Sequence, residues 1–270
     1  MQKRDSGLSM AVGFVMVLLV IAMIIGMWAV VGVPEQIRDA EDYHAIEVTN
    51  SFLDYKIAVD NLNQSGNTWV GVSVSMLIPA ASAYADGALF MEEGVGTLSV
   101  DVDDTPYSTT EISRLYATFG TTNTRIGYGA GGVYRKDYGS AVWVTPPSLT
   151  IENSDPVVYV NMVIPKMQGS FAVGSSEGIP VDTLLVNPSS PSSGSEYHMI
   201  TITYEAYDRW DALLWSAFFN ETEIKYRNIV EDITVELTDN TTSMKITPLS
   251  SESLHLTMTT PEYRVDVRGV

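Results

Sequence analysis

The sequence contains no cysteine. That excludes a disulfide framework and any thiolate metal site, so packing must supply the stability. Basic residues are scarce: 15 Lys and Arg stand against 33 Asp and Glu, a formal net charge of −18. A surface of that sign repels phosphate backbones, which argues against nucleic acid as a partner. Histidine is limited to His44, His198 and His255, and none has a neighbour at metal-ligand spacing. There is no His-Glu-x-x-His pair, no Gly-x-Ser-x-Gly elbow and no Gly-Lys-Ser/Thr phosphate loop. These absences leave no motif for an enzyme, a metal or a cofactor.

Charge is missing altogether between Asp5 and Glu35. Val12, Phe14, Val15, Val17–Ile21, Ile24, Ile25, Val30, Val31 and Val33 fill that stretch with apolar side chains. On an insertion scale they contribute on the order of −6 kcal/mol with no opposing charge. The stretch is long enough to cross a hydrocarbon core of ~30 Å, and Gly7, Gly13, Gly26 and Gly32 are tolerated because lipid leaves the helix as the available backbone form. Residues 8–33 are therefore expected to form a transmembrane helix. Lys3 and Arg4 precede it, and Glu35, Asp39, Glu41 and Asp42 follow. Positive charge stays cytoplasmic, so the N-terminus is expected inside the cell and the bulk of the chain outside. Later apolar runs such as Val157–Ile164 are too short to cross.

Pro34 marks the end of the apolar stretch, and a helical pattern then resumes over residues 34–64. Ala45, Val48, Phe52, Tyr55, Val59 and Leu62 recur at steps of three and four, a stripe suited to packing. Ile46, Leu53 and Ile57 are read as widening it. The stripe fits two uses: packing on the chain's own β-domain, or also on helices of neighbouring subunits. Asn61–Asn67 is a stop signal.

From residue 65 to 270 the period becomes two. Val70–Val74, Leu98–Val102, Ile200–Tyr204, Ile233–Leu237, Leu254–Met258 and Tyr263–Val267 alternate apolar with polar or small residues, as half-buried antiparallel strands do. Val157–Ile164 is expected to be a central strand. One helix interrupts them, with Trp210, Leu213, Leu214, Ala217 and Phe218 as its apolar face and Trp215 and Phe219 on the flank. Asn187–Ser195 is rich in Pro and Ser and reads as an exposed loop. Gly127–Gly132 lacks any βαβ context and reads as a hairpin or bulge. The expected fold is mainly β, with a long N-terminal helix and an antiparallel sandwich-like external domain. Asn63, Asn220 and Asn240 begin Asn-x-Ser/Thr sequons and are candidate glycosylation sites. Asp101–Asp104 offers oxygen ligands without the glycine and glutamate of a calcium loop, and reads as a solvated strand end.

Lys3-Arg4-Asp5-Ser6-Gly7, followed by Leu8-Ser9-Met10-Ala11-Val12-Gly13-Phe14-Val15, resembles the leader and first turns of archaeal type IV pilins and archaellins. The resemblance implies cleavage by a prepilin peptidase between Gly7 and Leu8, and a helix that anchors in the membrane before packing with other pilin-like subunits in a filament core. Bacterial-type pilins carry a glutamate at the fifth mature position, where this chain has Val12. The function so implied is a structural subunit of a surface filament. The alternative is a non-assembling anchored domain that binds a carbohydrate or an envelope partner.

Overall fold

The computed structural model describes residues 5–77, 87–119, 123–174, 178–189 and 192–268. The basic residues Lys3 and Arg4 lie outside them. Gly7 and Leu8 fall within the first helix, α1 (Asp5–Met27). A π-helical turn, Trp28–Gly32, joins α1 to α2 (Val33–Ser65), so the apolar helix continues through Pro34 into the second helical segment. Proline cannot donate a backbone hydrogen bond and its ring crowds the preceding turn. The wider π turn lies directly upstream, where that crowding falls. Gly66 ends α2 in the left-handed region (φ 62°), its N–H donating to the Asn63 carbonyl at 3.2 Å.

Strands fill the remainder. The first group comprises β1 (Gly71–Met76), β2 (Ala88–Val102), β3 (Thr105–Thr118), β4 (Arg125–Gly129), β5 (Gly132–Asp137) and β6 (Ser140–Thr145). Next come β7 (Ser148–Ser154), β8 (Val157–Val163), β9 (Lys166–Gln168), β10 (Phe171–Gly174), β11 (Ile179–Asn187), β12 (Ser192–Tyr197) and β13 (Ile200–Ala206). Helix α3 (Arg209–Tyr226) precedes β14 (Asp232–Thr238), β15 (Thr241–Thr247), β16 (Ser253–Thr259) and β17 (Glu262–Val267).

The central sheet runs β14-β15-β13-β2-β3-β4-β5-β6, with β10 also on β2. Smaller sheets, β1-β11-β17-β9 and β12-β16-β8-β7, complete the fold. Strands β2 and β3 take part in both cores, and side-chain alternation assigns each core a face. Leu89 and Met91 of β2, with Leu115 and Ala117 of β3, join the α2 stripe and the β1-β11-β17-β9 sheet. Leu98, Val100 and Val102 of β2, with Ile112 of β3, join the β12-β16-β8-β7 sheet and α3. Outside the bulge at Glu92–Gly96, odd positions thus serve one face and even positions the other, so the central sheet carries a covering layer on each side. A bulge between Glu92 and Gly96, with Gly94 at φ 63°, bends β2 between the two halves.

Three expectations are corrected. Two strand pairs, β16 with β8 and β17 with β9, are parallel within an otherwise antiparallel set. Ser192–Tyr197 is strand rather than loop: as an edge strand on β16 it needs only backbone partners, which Ser and Gly supply. Helix α3 keeps only part of the expected face: Leu214 and Phe218 are buried, but Leu213 and Ala217 are exposed, and Asp211, Trp215, Phe219, Thr222 and Tyr226 are buried instead. The large rings of Trp215 and Phe219 take the core position. Strand β8 does lie inside its sheet, between β16 and β7. The glycine-rich run is the β4–β5 hairpin, turned by Ala130 (φ 52°) and Gly131 (φ 84°).

Candidate functional site

The apolar helix is the feature that most needs a function. Val12–Gly32 is long and apolar enough to cross a membrane, and none of it is buried by the rest of the chain. Phe14 is 65 % exposed and Ile24 63 %. A rise of 1.5 Å per residue gives this segment a length of about 30 Å. By length and composition it is a membrane anchor or a signal sequence.

Helix α2 ties that segment to the domain. All six residues of the predicted stripe, Ala45, Val48, Phe52, Tyr55, Val59 and Leu62, are buried in the α2-side core. The Tyr55 and Thr183 hydroxyls share a hydrogen bond of 2.8 Å, and the Tyr55 ring meets Tyr128 edge-on at 5.3 Å. Burial pushes the Tyr55 phenol well above its ordinary pKa, so it stays a neutral donor and acceptor. The Tyr263 hydroxyl donates to the Val59 carbonyl at 3.4 Å. Leu53 does widen this stripe, half-buried against the same core, whereas Ile46 and Ile57 do not; they are 59 % and 58 % exposed.

The sequon asparagines are scattered. Asn63 is half-buried in the last turn of α2. Asn220 is exposed on α3, its Nδ2 donating to the Ser216 carbonyl at 2.7 Å. Asn240 lies in the β14–β15 turn, its Nδ2 donating to the Tyr207 carbonyl at 3.1 Å. Asp103 and Asp104 form the β2–β3 turn with φ of 48° and 59°, and Asp103 accepts the His198 backbone N–H at 2.9 Å. The three histidines have separate neighbours: His44 lies 3.3 Å from Glu47, His198 lies 3.7 Å from Asp103, and His255 meets the Tyr159 ring at a tilt, 5.2 Å between centres. Among the described residues no three His, Cys, Asp or Glu side chains converge on a metal position. A shallow cleft of about 300 Å³ lies between the end of α2 and the β4–β5 hairpin, lined by Lys56, Asp60, Asn63, Gln64, Gly131 and Ser148, among others.

Sequence reasoning missed a partly buried charged cluster where α3 starts on the central sheet, with Arg114 and Asp211 buried and Glu92 half-exposed. Glu92 and Arg114 are cross-strand partners, joined through Nε at 3.1 Å and Nη2 at 2.9 Å to one carboxylate oxygen. The Tyr116 hydroxyl donates to the other oxygen at 2.7 Å. Asp211 is 7 % exposed, accepts the Tyr204 hydroxyl at 2.6 Å and lies 4.0 Å from Arg114. Burial raises the Asp211 pKa to about 6, against the Tyr204 hydrogen bond and the Arg114 charge. Burial also acts upward on Glu92, but Tyr116 and Arg114 outweigh it and hold Glu92 below its ordinary value. Arg114 stacks over Tyr116 and Trp210, each 5.3 Å to the ring centre. The Trp143 indole N–H donates to the Leu214 carbonyl at 3.0 Å, a second tie to α3. This cluster fastens α3 to the sheet. Only cross-strand register could have revealed the Glu92–Arg114 pair, and Asp211 reads in sequence as an ordinary acidic residue of a first helical turn.

No curated protein and no solved structure matches this chain. One family does, and its match covers the apolar helix, α2 and most of the β-domain together. The chain belongs to the family of unknown function DUF7289, which matches it over residues 7–250.

Proposed function

We propose that this chain is a pilin-like surface subunit, anchored in the cell membrane by its N-terminal helix and presenting its β-domain outside. The observation that carries the reading is a single helical rod, apolar and uncovered over Val12–Gly32, whose far end is locked into the domain by the Ala45–Leu62 stripe. An apolar rod of that length needs lipid or other helices around it. Its far end is rigidly joined to the domain, so movement or assembly of the helix carries the domain along. The basic Lys3-Arg4 leader sets the N-terminus inside, and removal of that leader between Gly7 and Leu8 by a prepilin peptidase releases the helix for assembly. The test is intact-mass analysis of the protein from its native membrane, with electron microscopy of cells lacking it. A mature start at Leu8 and loss of a filament class support the reading; a Met1 start with unchanged filaments refutes assembly.

One observation favours the second reading, a non-assembling domain that binds an envelope partner. Trp69 is held at φ 65°, its N–H donating to the Leu185 carbonyl at 2.8 Å, while its indole is 67 % exposed. A strained backbone that presents an aromatic ring to solvent suits ligand contact. Binding of envelope glycans to the Trp69→Ala variant, compared with the parent, decides whether that ring is used.

A further inference from the structure

On a chain with twice as many acids as bases, one face of the central sheet gathers cations. Arg125 of β4 and Lys136 of β5 are direct cross-strand partners, and both are half-buried. The Arg125 guanidinium lies over the Tyr116 ring at 5.1 Å, and the Lys136 ammonium lies over Trp210 at 4.5 Å. Arg114 lies over both of those rings, 5.3 Å from each centre. Cations and rings therefore alternate in the order Arg125, Tyr116, Arg114, Trp210 and Lys136, and the row closes where Arg125 opposes Lys136.

The neighbouring acids are committed elsewhere. Glu92 is held by Arg114 and Tyr116, Asp211 by Tyr204, and Asp137 by Arg135 and Thr124. Asp208 attracts Lys136 only from beyond ion-pair range. Among the described residues, Arg125 and Lys136 have no hydrogen bond and no ion pair. Burial, and next to it the charge of Arg125, holds Lys136 below its ordinary pKa. Like charges set directly opposite each other destabilise a sheet. Natural folds keep such violations of local rules at functional positions.

We infer that Arg125 and Lys136 form a binding site for one carboxylate, carried by an acidic sugar residue. A carboxylate between the two heads removes their repulsion and accepts a charge-assisted hydrogen bond from each. Both heads already rest on aromatic rings, so little side-chain freedom is lost on binding. Phe90 supplies the apolar surface beside them. Its ring stacks on Tyr116 at 5.1 Å and stays partly open to solvent, where the C–H face of a pyranose can pack. The net charge of −18 sets the selectivity. A polyanion meets repulsion over the rest of the surface, whereas a lone carboxylate on a neutral glycan feels mainly the charges within a Debye length of ~10 Å. The site stands apart from Trp69 and from filament assembly, so neither test above decides it.

The experiment is ligand-observed NMR on the full chain in a sugar-free nonionic detergent, with glucuronate, glucose, inorganic phosphate and acetyl-aspartyl amide as probes. Glucuronate is expected to bind more tightly than the other three. Arg125→Gln and Lys136→Gln are each expected to weaken glucuronate severalfold and to leave the urea unfolding midpoint unchanged or raised, since one of two opposed cations is gone. A lowered midpoint in both variants shows that the cations serve the fold and overturns the site. Equal binding of glucose, or glucuronate binding that both variants retain, overturns it as well. Phosphate or the aspartyl amide binding as tightly as glucuronate overturns the assignment to a sugar.

Discussion

Asp211→Asn should make the protein more stable at neutral pH, because it removes a charge that the fold holds at a cost. The native carboxyl has its pKa raised from 3.8 to about 6 by burial. Between those values the folded state binds the proton that the unfolded chain has released. This group's contribution therefore favours folding fully below pH 3.8 and declines as pH rises through about 6. Two pH units at about 1.36 kcal/mol each amount to about 3 kcal/mol of lost stability at pH 7.5. Asparagine keeps the oxygen that accepts the Tyr204 hydroxyl, and Arg114 keeps Glu92. The assay is urea unfolding of the full chain in nonionic detergent, followed by tryptophan fluorescence. Trp215 is 2 % exposed and stacks on Tyr204 at 4.7 Å, so it reports on this region. The variant should match the parent at pH 4 and exceed it by about 2–3 kcal/mol at pH 7.5. A variant less stable than the parent at pH 7.5, with no difference in pH slope between the two, would mean that Arg114 makes the ionised carboxylate a net gain, and would refute the reasoning.

Two further substitutions test the packing. Phe52→Ala removes a fully buried ring from the α2 stripe and should cost about 3–5 kcal/mol in the same urea assay, loosening α2 first in hydrogen exchange. Gly127→Ala places a Cβ 2.7 Å from the Tyr116 Cβ and from the Tyr134 hydroxyl, and should cost about 1–3 kcal/mol; an unchanged unfolding midpoint would show that the Tyr134 ring can move aside.

The parts of the fold that were legible in the sequence are those set by a local period. The charge-free stretch, the Ala45–Leu62 stripe and the alternating runs at Ile200–Tyr204 and Leu254–Met258 each face one environment along their length, so pattern and burial coincide. The first half of β2 was not legible, because the Glu92–Gly96 bulge interrupts the alternation and the strand serves both faces of the sheet. Ile46 and Ile57 were read as widening the buried stripe of α2, since spacing alone does not say where the face that meets the core ends. The face of α3 was misjudged for a related reason: a buried aspartate counts as polar in any periodicity, although its hydroxyl partner Tyr204 comes from a neighbouring strand. The whole charged cluster depends on such long-range pairings, which leave no trace in local composition.

The measurement that bears most directly on the account is the accessibility of the β-domain in intact cells. Tyr207 is 77 % exposed, and a cysteine at that position would be the single thiol of the chain. With Tyr207→Cys, an impermeant maleimide should label the membrane-fraction protein before any permeabilisation. Labelling that appears only after the membrane is opened, or recovery of the full chain in the soluble fraction without detergent, would contradict the anchored, outward-facing arrangement.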